Sequence, residues 1–199
     1  KFLRGLITPI APRTIFFLLQ AGYAADFILA LTVESLNGVR NRSTAGGLVR
    51  EADPGFVEAL RLMREVQAAG AMSMRVEEDK EQGSTAVLLF RREDLPADIV
   101  EKAREVRRLL RMPPDQQKFV LAYSSMRGTD EELAVNSRSM LQIMGAFASY
   151  VDVPAEHLED RRAVPGLERM SSEDAREVVR IHSGTEKPAD AFASVRYRG

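Results

Sequence analysis

The chain reads as an α+β fold: an N-terminal helical cluster, then β-hairpin–helix units forming a mainly antiparallel sheet with helices on one face. Three observations predict it. Apolar residues recur at spacings of three and four through the first third. The period changes to two at Met72, Met74 and Val76, which alternate with Ser73, Arg75 and Glu77. From there, pairs of strand-like runs alternate with helical stripes, which favours antiparallel pairing with helices covering one face. At 199 residues and 45% hydrophobic, the chain suits one domain over 1–199. We expect a helical part over about 1–70 and strand-strand-helix units over about 71–112, 118–152 and 177–199, the last without its helix. No side-chain identity recurs at a fixed period, so the repeat is one of architecture.

Pro12 suits the first turn of a helix made strongly apolar by Ile15, Phe16, Leu18 and Leu19. A second helix is expected from about Ala25 to Asn37, with Phe27, Ile28, Leu31 and Leu36 inward and Gly38 ending it. The whole run Ile15–Val33 is about as long as a bilayer crossing, but Gln20, Gly22 and Asp26 interrupt it, so two packed helices account for it better. The polar, Gly-containing segment from Arg42 to Asp53 reads as a loop. Asp53-Pro54 opens a third helix carrying Phe56, Leu60 and Met63, stopped by Gly70.

A polar turn from Asp79 to Gly83 joins the first strand to Thr85–Phe90, completing a hairpin. Asp94-Leu95-Pro96 starts a helix with Ile99, Ala103, Val106 and Leu110 in one stripe, and Pro113-Pro114 prevents its continuation. Phe119–Tyr123 is a strand, Met126–Asp130 a turn, and Leu133 and Val135 belong to a short return strand. A helix from about Ser139 carries Met140, Ile143, Met144, Phe147 and Val151, closed by Pro154. Residues Glu156 to Ala175 read as charged loop with one short helix; Val178–Ile181 and Ala193–Tyr197 read as a third hairpin.

Composition narrows the function classes. Twenty-eight basic residues against 29 acidic leave a net charge of −1, which argues against binding nucleic acid by phosphate neutralisation. There are no cysteines and two histidines, so disulfide frameworks, thiolate zinc sites and Cys nucleophiles are excluded and no metal or other cofactor is expected. The sequence holds no G-x-S-x-G, H-E-x-x-H, G-x-x-x-x-G-K-[ST] or G-x-G-x-x-G. Because it opens on Lys1 and ends on Tyr197-Arg198-Gly199 in a strand-like pattern, it reads as a fragment or processed form.

The candidate binding residues are Asn37, Arg40 and Asn41, with Arg196 and Arg198 if the tail folds back. The stretch Asn37-Gly38-Val39-Arg40-Asn41 can cap a helix end or present donors to a ligand. His157, among acids, and His182, beside Ser183, read as exposed; neighbours on a strand point to opposite faces, the wrong geometry for proton transfer. The acidic groups at Glu77-Glu78-Asp79 and Asp130-Glu131-Glu132 fall at turns, where charge keeps edges unpaired. Arg104, Arg107, Arg108 and Arg111 give one helix a basic side, which its own glutamates can neutralise.

Two segments carry a resemblance. The first runs from Leu6-Ile7-Thr8-Pro9-Ile10-Ala11-Pro12-Arg13 through Gly22, continuing at Leu31-Thr32-Val33-Glu34-Ser35-Leu36-Asn37-Gly38-Val39-Arg40-Asn41. The second runs from Arg180-Ile181-His182-Ser183-Gly184 through Ala191, and then Val195-Arg196-Tyr197-Arg198-Gly199. They resemble, in the same order, segments of a family of uncharacterised bacterial envelope lipoproteins. The resemblance implies an exported precursor with a lipid-bearing cysteine upstream, and a chain continuing past Gly199. It carries no activity and no site residue.

The expected function is a non-enzymatic interaction or scaffold domain of such a lipoprotein, on the periplasmic side of the envelope. Its partner would be a protein or a second copy, not nucleic acid, with membrane contact only through the upstream anchor. The alternative is a small-ligand domain or a hydrolase with a polar pocket between the helical cluster and the sheet.

Overall fold

A computed structural model describes residues 2–44, 50–79, 83–91, 93–148, 151–163, 181–182, 189 and 191–195. The helical cluster comprises α1 (Phe2–Ile7), α2 (Pro12–Gln20), α3 (Ala25–Thr32) and, after a hairpin, α4 (Pro54–Ala68). Prolines occupy the first turns of α2 and α4, where the missing amide donor has no intrahelical partner to lose. Gly70, at φ 67°, ends the chain's run through α4. The next hairpin is β3 (Met72–Asp79) with β4 (Gly83–Phe90), paired antiparallel from Met72↔Phe90 to Asp79↔Gly83. Helix α5 (Ala97–Leu109) follows, with Ile99, Ala103, Val106 and Leu110 all buried, and Arg111 leaves it at φ 54°.

The sheet departs from expectation in two places, at one edge and at its centre. The second helix stops at Thr32, and the chain continues as β1 (Val33–Leu36) and β2 (Val39–Arg40). Asn37 and Gly38, at φ 46° and 76°, form the two-residue turn between them, a conformation that Asn-Gly favours in hairpins. So Asn37-Gly38 joins two strands and does not cap a helix. Strands β5 (Lys118–Tyr123) and β6 (Glu132–Ser137) are parallel, with Val120 opposite Glu132 and Tyr123 opposite Val135. They are therefore no hairpin. The residues between them run back along β5, which lets β6 sit between β5 and β1, antiparallel to β1. The order is β2-β1-β6-β5-β4-β3, so the N-terminal segment supplies one edge of the sheet.

After β6 come α6 (Met140–Ala148), β7 (Val151–Asp152), α7 (Ala155–Glu159) and β8 (Ile181–His182), with β7 and β8 a short parallel pair. Val151 is thus in a strand and not in the preceding helix. Residues 193–195 are not in a strand, while most of the expected third hairpin lies outside the described residues.

One face of the sheet presents Met72, Met74, Ala86, Leu88, Phe90, Phe119, Leu133 and Val135 to a core shared with α2 to α5. Phe16, Phe56, Phe119, Ile15 and Leu29 are its largest fully buried members. The Phe90 and Phe119 rings meet edge to face at 6.1 Å, and the Arg107 guanidinium lies over Phe90 at 4.2 Å from the ring centre.

Candidate functional site

The turn and strand that carry Asn37, Arg40 and Asn41 lie at the junction of α3, β6 and α5. Asn37 Nδ2 donates to the Leu110 carbonyl at 2.9 Å, and its Oδ1 accepts from the Ala134 amide at 2.8 Å. Asn41 Nδ2 donates to the carbonyls of Ala30 (2.8 Å) and Val33 (2.7 Å), and its Oδ1 accepts from the Arg42 amide. Both side chains are buried and both bond backbone at each end. Arg40 points the other way, into solvent. Its amide donates to Asp53 Oδ2 at 2.9 Å and its guanidinium lies 3.6 Å from the same carboxylate, which holds Asp53 below the usual carboxylate range. Asn37 and Asn41 thus turn inward to backbone groups, while Arg40 turns outward to Asp53. Arg196 and Arg198 lie outside the described residues.

Arg138 completes this brace, and sequence reasoning missed it. It follows β6, is buried, and donates to Glu34 Oε2 at 3.0 Å and to the carbonyls of Ala30 (3.2 Å), Leu31 (3.3 Å) and Arg42. Ala30 and Leu31 belong to the last turn of α3, whose carbonyls have no intrahelical donor. A guanidinium there satisfies them and meets the negative end of the helix dipole. Glu34 takes a second cation, Arg50, at 3.0 Å. The sequence signal for this role is absent, since every partner is distant along the chain and most are backbone.

The other chemistry-bearing groups are separate. On α5, Arg104 pairs with Glu101 and Arg108 with Glu105, while α4 and α5 exchange Lys102–Glu65 at 2.8 Å. The open groove of about 820 Å³ between these helices is lined by such pairs, Arg61 with Glu58 among them. Glu77 is held ionised below its ordinary range by Lys118 and Arg75, and Glu132 accepts from the Gly128 amide at 2.8 Å. His182 Nδ1 lies 2.8 Å from Asp152 Oδ2, both side chains being about half exposed, and Ser183 lies outside the described residues. His157 is 3.6 Å from Glu156. Among the described residues no three carboxylates or imidazoles converge as metal ligands, and no helix is long and apolar enough to cross a membrane.

The unusual surface is elsewhere. Helix α6 (MLQIMGAFA) has no charged residue, and Ile143 alone of the nine is buried. Met140, Leu141 and Met144 are exposed, at 44%, 53% and 56%. They recur at spacings of three and four, so they share one face. A capping box starts the helix: the Ser139 amide donates to Gln142 Oε1 at 2.8 Å, and the Gln142 amide to Ser139 Oγ at 3.3 Å. Pro9 bridges Ser139, the Ile10 amide donates to the Arg138 carbonyl at 3.0 Å, and Ser137 Oγ donates to the Ile10 carbonyl. These bonds seat α1 against α6. Leu3 and Ile7, one turn apart on α1, are 74% and 60% exposed. A shallow concavity of about 500 Å³ between them is lined by Arg4, Thr8, Ile10, Thr14 and Met140, and no acidic residue lines it. Of the apolar stripe expected for the helix after β6, Met140 and Met144 face water, Phe147 is half-buried and Ile143 is buried.

No family model, no curated protein and no solved structure matches this chain.

Proposed function

We propose that this chain is a non-enzymatic interaction domain of a bacterial envelope lipoprotein, contacting its partner through the α1–α6 face. One observation carries the reading. An uncharged helix, firmly started by a capping box, keeps its long apolar side chains in water beside a second helix that does the same. Isolated exposed apolar residues are ordinary, whereas several on two packed helices mark a contact surface. The envelope location rests on the resemblance of the two terminal segments.

The ligand-pocket alternative draws no support from its first suspects. Asn37 and Asn41 spend their donors on backbone, and Arg40 is turned to solvent. The test is fractionation of the native protein with mass spectrometry of its N-terminus, combined with a photo-crosslinking residue at position 141 and, separately, at position 57. A lipidated cysteine in the membrane fraction and an adduct, to protein or to lipid, from 141 alone are expected. An unmodified cytosolic protein with equal labelling at both positions overturns the reading.

A further inference from the structure

We infer that the α1–α6 face rests on an anionic lipid surface, with Leu3, Ile7, Leu141 and Met144 entering the boundary between headgroups and acyl chains and Arg4 meeting phosphates. The inference deepens the proposed function and rests on α1–α6 being a contact surface.

Charge decides the occupant. The chain as a whole carries −1, so it has no general attraction to an anionic surface. Its charges are unevenly placed. Residues 1–25 contain Lys1, Arg4 and Arg13 and no acid, and residues 139–151 contain no charge of either sign. Asp26, the first acid of the chain, is turned toward Arg64 at 3.1 Å. Arg4 and Arg13 are exposed, and neither pairs with a carboxylate among the described residues. On the rest of the surface the pattern is the opposite: α4 and α5 interleave cations with carboxylates. Exposed Leu, Ile and Met flanked by cations of one sign is the composition of an interfacial helix, whose binding adds apolar burial to attraction by anionic lipid. A protein interface of this size would more typically centre on Trp, Tyr or Arg anchors in packed pockets. Here the side chains are flexible aliphatics around an open depression.

The contact is shallow, because α6 is nine residues long and lies with one side in the protein. It acts as a second membrane signal beside an acyl anchor, the combination that converts marginal lipid binding into stable attachment. It also fixes which end of the domain faces the bilayer.

Vesicle flotation tests this on the full chain, comparing phosphatidylcholine vesicles with vesicles of phosphatidylcholine and phosphatidylglycerol. The expected result is flotation with the anionic vesicles, weakened by salt. Leu141→Ser with Met144→Ser should reduce partitioning about tenfold. Arg4→Gln should reduce it about fivefold, and Arg13→Gln, on α2, should reduce it less. Val57→Ser, at an exposed apolar residue of α4, should leave it unchanged. Circular dichroism checks that each variant is folded, and the two arginine variants alter only exposed side chains. Absence of flotation, or equal loss in Val57→Ser, overturns the lipid assignment. If the serine pair instead splits a dimer in vesicle-free solution, the lipid assignment fails while α1–α6 stands as a contact surface. If no partner, copy or vesicle engages the face, both fail.

Discussion

The brace around Arg138 and the face on α6 are neighbours in sequence, joined through Ser139, yet they treat water in opposite ways. The brace takes an arginine and two asparagines out of solvent and gives each several hydrogen bonds. The face leaves two methionines and a leucine about half exposed. Buried polar groups are tolerated where every bond is made, and they then fix one arrangement of the elements around them. Exposed apolar groups gain nothing for the isolated fold. The polar residues that look functional in the sequence therefore make hydrogen bonds inside the fold, and the apolar ones that look structural stay half exposed.

Breaking the brace should have the largest effect. Arg138→Ala leaves Glu34 with one cation where it had two, and removes a donor from the Leu31 carbonyl and one of the two donors, Asn41 being the other, from the Ala30 carbonyl at the end of α3. Loss of one partner from a buried charged network is costly because the other remains desolvated. Urea unfolding should show a loss of about 3 kcal/mol with an unchanged slope. Arg138→Lys, which keeps the charge but not the fork, should recover less than half of it. A loss below about 1 kcal/mol would mean that water replaces the guanidinium and that the brace does not hold α3 to β6.

Asn37 allows the turn to be separated from the bonds. Asn37→Ala leaves the Leu110 carbonyl and the Ala134 amide unpaired and puts a Cβ residue without Asn's local bonds at positive φ, for an expected loss of about 2 kcal/mol. Asn37→Gly relieves the backbone strain and should recover roughly 0.5–1 kcal/mol of that. Recovery of full stability in the glycine variant would show that the two hydrogen bonds contribute nothing and that Asn37 is only a turn residue.

These same elements show what a sequence discloses. The β3–β4 hairpin and α5 were legible because their periods are clean and Gly70, Asp94 and Pro113 punctuate them. Strand β1 was hidden because Leu31, Val33 and Leu36 continue the apolar pattern of α3, so the helix seemed to run on to Gly38. The Asn-Gly pair carries both readings, helix end and hairpin, and tertiary pairing with β6 decides between them. The parallel partnership of β5 and β6 is non-local, and adjacency along the chain suggested a hairpin instead. Of the candidate residues, Asn37 and Asn41 were rightly singled out as unusual, but side-chain type alone does not reveal that their partners are backbone atoms. Arg138 gave no signal because its bonds span up to 108 residues. The periodicity of α6 identified its apolar residues and could not say whether anything covers them.

The smallest expected effect sharpens the comparison most. If the α6 face exists for contact, then Leu141→Ser with Met144→Ser should leave the unfolding free energy of the isolated chain within about 0.5 kcal/mol of the parent, as for surface changes away from caps and cores. Ile143→Ser, two positions from Leu141 and one from Met144, should cost well over 2 kcal/mol, because Ile143 is the one residue of α6 that is buried and a hydroxyl there has no partner provided by the packing. Serine lowers helix propensity slightly at every site, so the three positions share that cost and differ only in burial. A large loss at 141 and 144, equal to that at 143, would place those side chains inside the folded protein's own core. The face would then be part of the fold, and the contrast with the Arg138 brace would disappear.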